Sequence, residues 1–162
     1  MTPVHPDVLA ALSSGIQSEV ASYVFYLEAS KKSIASDHKE ILEKLALEEK
    51  DHFHILERQY DSLVRSEKWI STADILKQPG LPEITEEMSQ VHQNLIDEVT
   101  RANTMETVLD IAYRLEEEAA NLFTSAIDKV NSEEGKKMFT QLSKFEQGHM
   151  RMISDLKKSI LG

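Results

Sequence analysis

The sequence has no cysteine, only five glycines and four prolines, and a single tryptophan. Without cysteine there can be no disulfide, thiolate metal site, iron–sulfur cluster or thiol nucleophile. So few glycines suit a globular, mostly helical protein. Long apolar runs are also missing: none approaches the roughly 20 residues that span a bilayer. Residues 1–15 carry no Lys or Arg and no apolar stretch of signal-peptide length. A soluble cytoplasmic protein without membrane contact is the expectation. Basic charge is scarce too, with 18 Lys and Arg against 28 Asp and Glu, a formal charge of −10. Such a surface repels phosphate backbones, so nucleic acid is not an expected partner. Gly-rich phosphate loops and a Ser/His/Asp order are likewise absent.

At 162 residues, 41% of them apolar, the chain has the length for one domain with a real core. Pro6 and Asp7 read as a first helical turn, since proline is tolerated there and an acid favours the N-terminal dipole. Leu12, Ile16, Tyr23 and Tyr26 then recur at helical spacing. The pattern stops near Ala35, and Asp37 with Glu40 fits a capping box for a second helix. That helix carries Leu42, Leu45, Leu56 and Leu63 on one face. The Gln78-Pro79-Gly80-Leu81-Pro82 run breaks any helix, and a short amphipathic stretch follows with Met88, Val91, Leu95 and Val99 in register. Asn103 with Glu106 and Asn131 with Glu134 read as further capping boxes. The expected helices are about 6–35, 37–66, 104–130 and 132–160, within one domain over 1–162. The crossover, 67–103, is long enough to travel the length of a bundle. The fold class is therefore all-α: a ferritin-like four-helix bundle of two hairpins, joined by a long crossover containing a short extra helix.

Shifting the sequence by 97 residues superposes the two hairpins without a gap. Glu19 falls on Glu116, Glu49 on Glu146 and His52 on His149. Around them Leu12 meets Leu109, Ile41 meets Met138, Leu42 meets Phe139, Leu45 meets Leu142, Leu56 meets Ile153 and Leu63 meets Ile160. The repeat implies a pseudo-two-fold axis with the acids and histidines meeting near it.

One Glu-x-x-His pair is weak, because chance places about one in a chain of this composition. Two in the same register, each 30 residues beyond another glutamate, are a different matter. Both pairs lie on leucine-rich stripes, and Glu19 sits among Leu12, Ile16, Tyr23 and Tyr26. Four carboxylates facing one core would each be opposed by several kcal/mol unless neutralised. Two divalent cations balance four carboxylates, and neutral imidazoles complete the coordination. The candidate metal ligands are Glu19, Glu49, His52, Glu116, Glu146 and His149. Oxygen and nitrogen donors without sulfur suit Fe, Mn or Zn, and the mixed shell favours a redox metal, so two Fe ions are the expected cofactor. Glu116 is preferred to its neighbours by the repeat and by its face: Leu109, Ala112, Tyr113, Ala119, Ala120 and Phe123 surround it. Glu117 instead keeps company with Asp110, Arg114, Asn121 and Thr124, and Glu118 lies near Arg114 and Asn121.

At these residues the sequence resembles the rubrerythrin-like branch of the ferritin-like di-iron proteins. The motifs are Glu19 with Ala21 and Phe25-Tyr26, then Glu49-Lys50-Asp51-His52, Glu116, and Glu146-Gln147-Gly148-His149. The resemblance spans roughly 8–66 and 104–158. It implies that Glu49 and Glu146 bridge the metals, that Glu19 and Glu116 are terminal ligands, and that each metal takes one histidine. It also implies an oxidoreductase of peroxidase or ferroxidase type, in which Fe(II) reduces peroxide or O2. Two departures bear on that activity. The family's further glutamate, one turn beyond the third-helix ligand, is replaced by Ala119 and Ala120, and the cysteine-bearing rubredoxin domain is missing. Electrons would come from an external donor, and a homodimer is the expected assembly.

Tyr23, Tyr26 and Tyr113 are candidates to hydrogen-bond the ligands, although core tyrosine is the plainer reading of each. His54 falls opposite His52 and reads as a surface residue. His5, His38 and His92 join no acidic cluster, and Trp69 is expected to pack the linker down. Two other functions compete: iron storage or delivery, and a structural bundle that metal merely stabilises. A dimanganese site has less support.

Overall fold

A computed structural model describes residues 4–162. Helix α1 spans Pro6–Ser30, with Pro6 opening it and His5 Nδ1 accepting from the Asp7 amide. After a 3-10 turn over Ser33–His38, α2 spans Lys39–Ser66. Three short helices follow, α3 (Thr72–Leu76), α4 (Glu86–Gln90) and α5 (Gln93–Arg101). The second hairpin is α6 (Met105–Ile127) and α7 (Glu133–Leu161). The chain is all-helical among the described residues, as a ferritin-like bundle requires.

Several expected boundaries move. The first helix ends at Ser30 rather than near Ala35, because the chain reverses through the 3-10 turn, where Ala35 N bonds to Lys32 O at 3.0 Å. Asp37 lies inside that turn, so it forms no capping box with Glu40; His38 precedes α2 without a side-chain cap. The caps of α6 and α7 each sit one residue late. Thr104 and Ser132 hydroxyls accept from the amides of Thr107 and Gly135, so Asn103 and Asn131 cap nothing. A hydroxyl in extended backbone satisfies that orphan amide as well as an asparagine would.

The crossover holds three short helices, not one. The expected amphipathic stretch breaks between α4 and α5, leaving Val91 70% exposed while Val99 is buried. Met88 packs against Val20 and Phe53, and Leu95 joins the cluster around Tyr26. Earlier in the crossover, polar clasps fasten it along α2. Gln59 bonds both backbone groups of Ile70, Arg58 donates to the Gly80 carbonyl at 3.1 Å, and Lys50 pairs with Glu83. His54 is therefore buried rather than on the surface, and its Nε2 donates to the Pro82 carbonyl at 2.8 Å.

The core divides into two apolar layers. One contains Phe25, Tyr26, Leu42, Leu45, Leu109 and Ile153; the other contains Leu12, Leu56, Phe123, Phe139 and Leu142. On every long helix the polar members of the repeat fall between the two layers, which places them at mid-bundle. α1 packs closely on α2 and on α6, and α6 on α7, whereas the backbones of α2 and α7 stay further apart. The repeat is not fully obeyed. Leu63 is buried beneath the crossover, while its counterpart Ile160 is 37% exposed.

Trp69 packs on the second layer, over Gly135 in the first turn of α7. A Cβ at Gly135 would lie 2.8–3.0 Å from three indole atoms. Gly135→Ala is expected to displace the indole and lower stability by about 1 kcal/mol, overpacking offsetting the better helix former. Because the chain has one tryptophan, its emission spectrum reports the change directly. Unaltered emission in the folded variant would contradict this packing.

Candidate metal centre

The six repeated residues meet in one place. Glu19 comes from α1, Glu49 and His52 from adjacent turns of α2, Glu116 from α6, and Glu146 and His149 from α7. Their helical offset of three puts each Glu-His pair on one face. All four carboxylates are fully buried, and the two imidazoles are 4% and 3% exposed. Two groups of potential ligand atoms form, each within a 4.8 Å span. One comprises Glu19, Glu49, His52 and Glu146; the other comprises Glu49, Glu116, Glu146 and His149. Glu49 and Glu146 belong to both.

The shortest histidine–carboxylate contacts cross between hairpins. His52 Nδ1 lies 2.8 Å from Glu146 Oε1, and His149 Nδ1 lies 2.8 Å from Glu49 Oε1 and 3.3 Å from Glu116 Oε1. The rings lie nearly parallel, 6.3 Å apart. Both oxygens of Glu19 and Oε2 of Glu49, Glu116 and Glu146 are buried with no hydrogen-bond partner. Buried oxygens in such numbers are costly unless something positive sits among them. Hard oxygen donors with two imidazoles fit a pair of divalent transition-metal ions.

Of the three tyrosines, Tyr26 is fully buried and its hydroxyl donates to Glu116 Oε1 at 2.7 Å. Tyr23 packs among apolar side chains, Tyr113 is 38% exposed, and neither hydrogen-bonds a member of the cluster. Glu117 and Glu118 are exposed, as their faces predict. One participant escapes the sequence reading. Glu48 Oε2 lies 2.7 Å from His149 Nε2. The signal was a chemical one: an imidazole aimed at a metal by one nitrogen needs a partner at the other.

Protons take up the charge when no metal does. Burial, then the charges of Glu146 and Glu49, push Glu19 well above the usual carboxylate range. Burial and the neighbouring Glu146 carboxylate push Glu116 up to about 7, against the pull of His149. Burial also pushes Glu49 and Glu146 up, but the histidines bonded to them hold both below the usual range. Burial opposes charging His52 and His149, yet their carboxylate partners raise both, His52 to about 10. Burial and the Glu116 charge raise Tyr26, which keeps its hydroxyl a donor.

A pH dependence follows for the metal-free protein. Glu116 and His52 bind protons more tightly when folded, so their contributions are complete below the unfolded values of 4.5 and 6.5. Those contributions are lost as pH rises through about 7 and about 10 respectively. Glu49 and Glu146 act oppositely, stabilising above 4.5 and losing that contribution in acid. Chelator-treated protein should therefore melt highest near pH 4.5 and progressively lower toward about pH 10. Metal should flatten the alkaline limb by displacing the protons. Thermal melts across that range check this, and a flat or rising metal-free limb would refute it.

In comparison with known families, the model described as rubrerythrin matches residues 10–157, both hairpins and the crossover between them. No curated protein and no solved structure matches.

Proposed function

Because the chain belongs to the rubrerythrin family, we propose that it is a non-haem di-iron oxidoreductase that reduces peroxide or O2 with electrons from an external donor. The observation that carries this reading is the pair of four-residue groups sharing Glu49 and Glu146, with buried oxygens left unpartnered. Iron bound there would supply paired one-electron redox steps, the chemistry that an O–O bond requires. One ion would be held by Glu19, Glu49, His52 and Glu146 and the other by Glu49, Glu116, Glu146 and His149, each histidine presenting Nδ1.

The chain's own groups do the rest. Tyr26 donates to Glu116 and so fixes one carboxylate oxygen. The apolar layers above and below keep bulk water from competing for the carboxylates. His52 faces a cavity of about 500 Å³ between α2 and α7, bounded by Ile55, Leu76, Met138, Leu142 and Phe145. That cavity is the route by which a small oxidant reaches the cluster. No helix among the described residues is long and apolar enough to cross a membrane. A cytoplasmic homodimer is part of the same reading.

The test is anaerobic loading with Fe(II), then one equivalent of hydrogen peroxide or O2 with near-ultraviolet absorption followed in a stopped-flow instrument. Oxidation faster than that of protein-free Fe(II) supports the proposal. A folded, iron-loaded protein that oxidises no faster sinks it.

A further inference from the structure

The repeat makes the six cluster residues equivalent in pairs, but it fails at the residue before each glutamate common to both groups. Glu48 and Phe145 occupy corresponding positions under the 97-residue shift. The Glu48 carboxylate sits 2.7 Å from His149 Nε2, with Lys44 Nζ 4.0 Å from its other oxygen. Phe145 brings its ring edge-on to His52, centroids 4.6 Å apart, and to His149 at 5.2 Å. Among the described residues no protein group bonds Nε2 of His52, whose ring borders the cavity between α2 and α7.

Resting on the metal-centre reading, we infer that Glu48 is a positioning residue that makes the two metal positions unequal: the His149 position is tight and the His52 position is labile. The physical reason is the outer hydrogen bond. Glu48 accepts from His149 Nε2–H, which fixes the tautomer, leaves the Nδ1 lone pair facing Glu49 and Glu116, and raises the basicity of that nitrogen. His52 meets carboxylates only at Nδ1, where Glu146 Oε1 lies 2.8 Å away, and at its outer edge it has an aromatic ring where His149 has a carboxylate, so no protein group fixes the proton on its Nε2. His52 itself lines the cavity, as Glu48 does, whereas His149 lies behind Glu48 and takes no part in that lining. Tyr26, whose counterpart in the repeat is Phe123, adds a second difference on the same side by bonding Glu116, and the Glu48 variants isolate the share of the outer carboxylate.

Metal-free protein titrated with Co(II), followed by d–d absorption and calorimetry, tests the idea without turnover. Wild type should take up two equivalents whose affinities differ at least ~10-fold. Glu48→Ala should weaken the tighter equivalent by about 10–100-fold and leave the weaker one in place. Glu48→Gln, whose amide oxygen still accepts from Nε2–H, should recover part of that loss. Phe145→Glu, which restores the repeat at the other position, should tighten the weaker equivalent. In the Zn(II)-loaded protein, nitrogen-15 spectra should show a slowly exchanging Nε2–H on His149 that disappears in Glu48→Ala. Two equal affinities in the wild type, or unchanged affinities in folded Glu48→Ala, would overturn the inference while leaving a two-metal centre intact. A folded wild type that binds no Co(II) would overturn the metal centre itself, and the inference with it.

Discussion

Glu49→Ala is expected to leave the protein unable to hold either metal tightly and to lower peroxide- or O2-dependent turnover by more than ~100-fold. Glu49 is one of two residues common to both four-residue groups, so its loss damages both at once. Its Oε1 also lies 2.8 Å from His149 Nδ1, and that ring loses a carboxylate that aims it. Losing an outer partner of a ligand already costs about 10–100-fold, and a shared inner carboxylate must exceed that. Glu19→Ala and Glu116→Ala touch one group each, so each should forfeit a single equivalent. Metal analysis of the purified variants reads these stoichiometries directly. Thermal melts add a second measure. An ion present at 1,000 times its Kd stabilises by about 4 kcal/mol, and that increment should vanish in Glu49→Ala. A variant that loses the increment when the wild type has no turnover to lose would favour a bundle that metal merely stabilises. A variant that retains two tight equivalents would disprove the shared role of Glu49.

Phe123→Ala is expected to lower the melting temperature by about 6–20 °C while leaving metal stoichiometry unchanged. Removing a buried phenylalanine costs about 3–5 kcal/mol, and each kcal/mol moves a domain of this size by about 2–4 °C. Phe123 is fully buried, lies 6.2 Å from the Phe139 ring and belongs to the layer with Leu12, Leu56 and Leu142. The cavity would not close easily, because the opposing α1 residue is Gly15, which has no side chain to swing inward. A Cβ built at Gly15 falls 3.0 Å from Phe123 Cε1 and Leu56 Cδ1. Gly15→Ala combined with Phe123→Ala should thus recover part of the loss. Phe123 stands two helical turns from Glu116, so the cluster keeps its geometry. A fall of less than about 3 °C would contradict this account of the core.

The meeting of six side chains was legible because two independent patterns agree. The repeat pairs Glu19, Glu49 and His52 with Glu116, Glu146 and His149, and each stands on an apolar stripe that has to face inward. Helical phase separates Glu116 from Glu117 and Glu118, and the structure buries the first and exposes the others. What stayed hidden was set by tertiary contact. His54 looks exposed on its own helix, and only the crossover laid along α2 buries it. α3 and α4 are five residues each, too short for a helical period to declare itself. The α6 and α7 caps went one residue astray because asparagine and hydroxyl residues stand side by side, and either type can accept the orphan amide. Glu48 was masked by the repeat, which puts Phe145 in its place and makes a symmetric reading pass over both.

Each four-residue group draws three side chains from one hairpin and a single glutamate from the other. Either half alone is one carboxylate short, and two identical halves related by a two-fold would complete each other. The chain has the form of two such halves joined in one polypeptide. A dimer of identical halves must carry every substitution twice. Once fused, each position is inherited singly, and a carboxylate can stand on one side of the axis with an aromatic ring on the other.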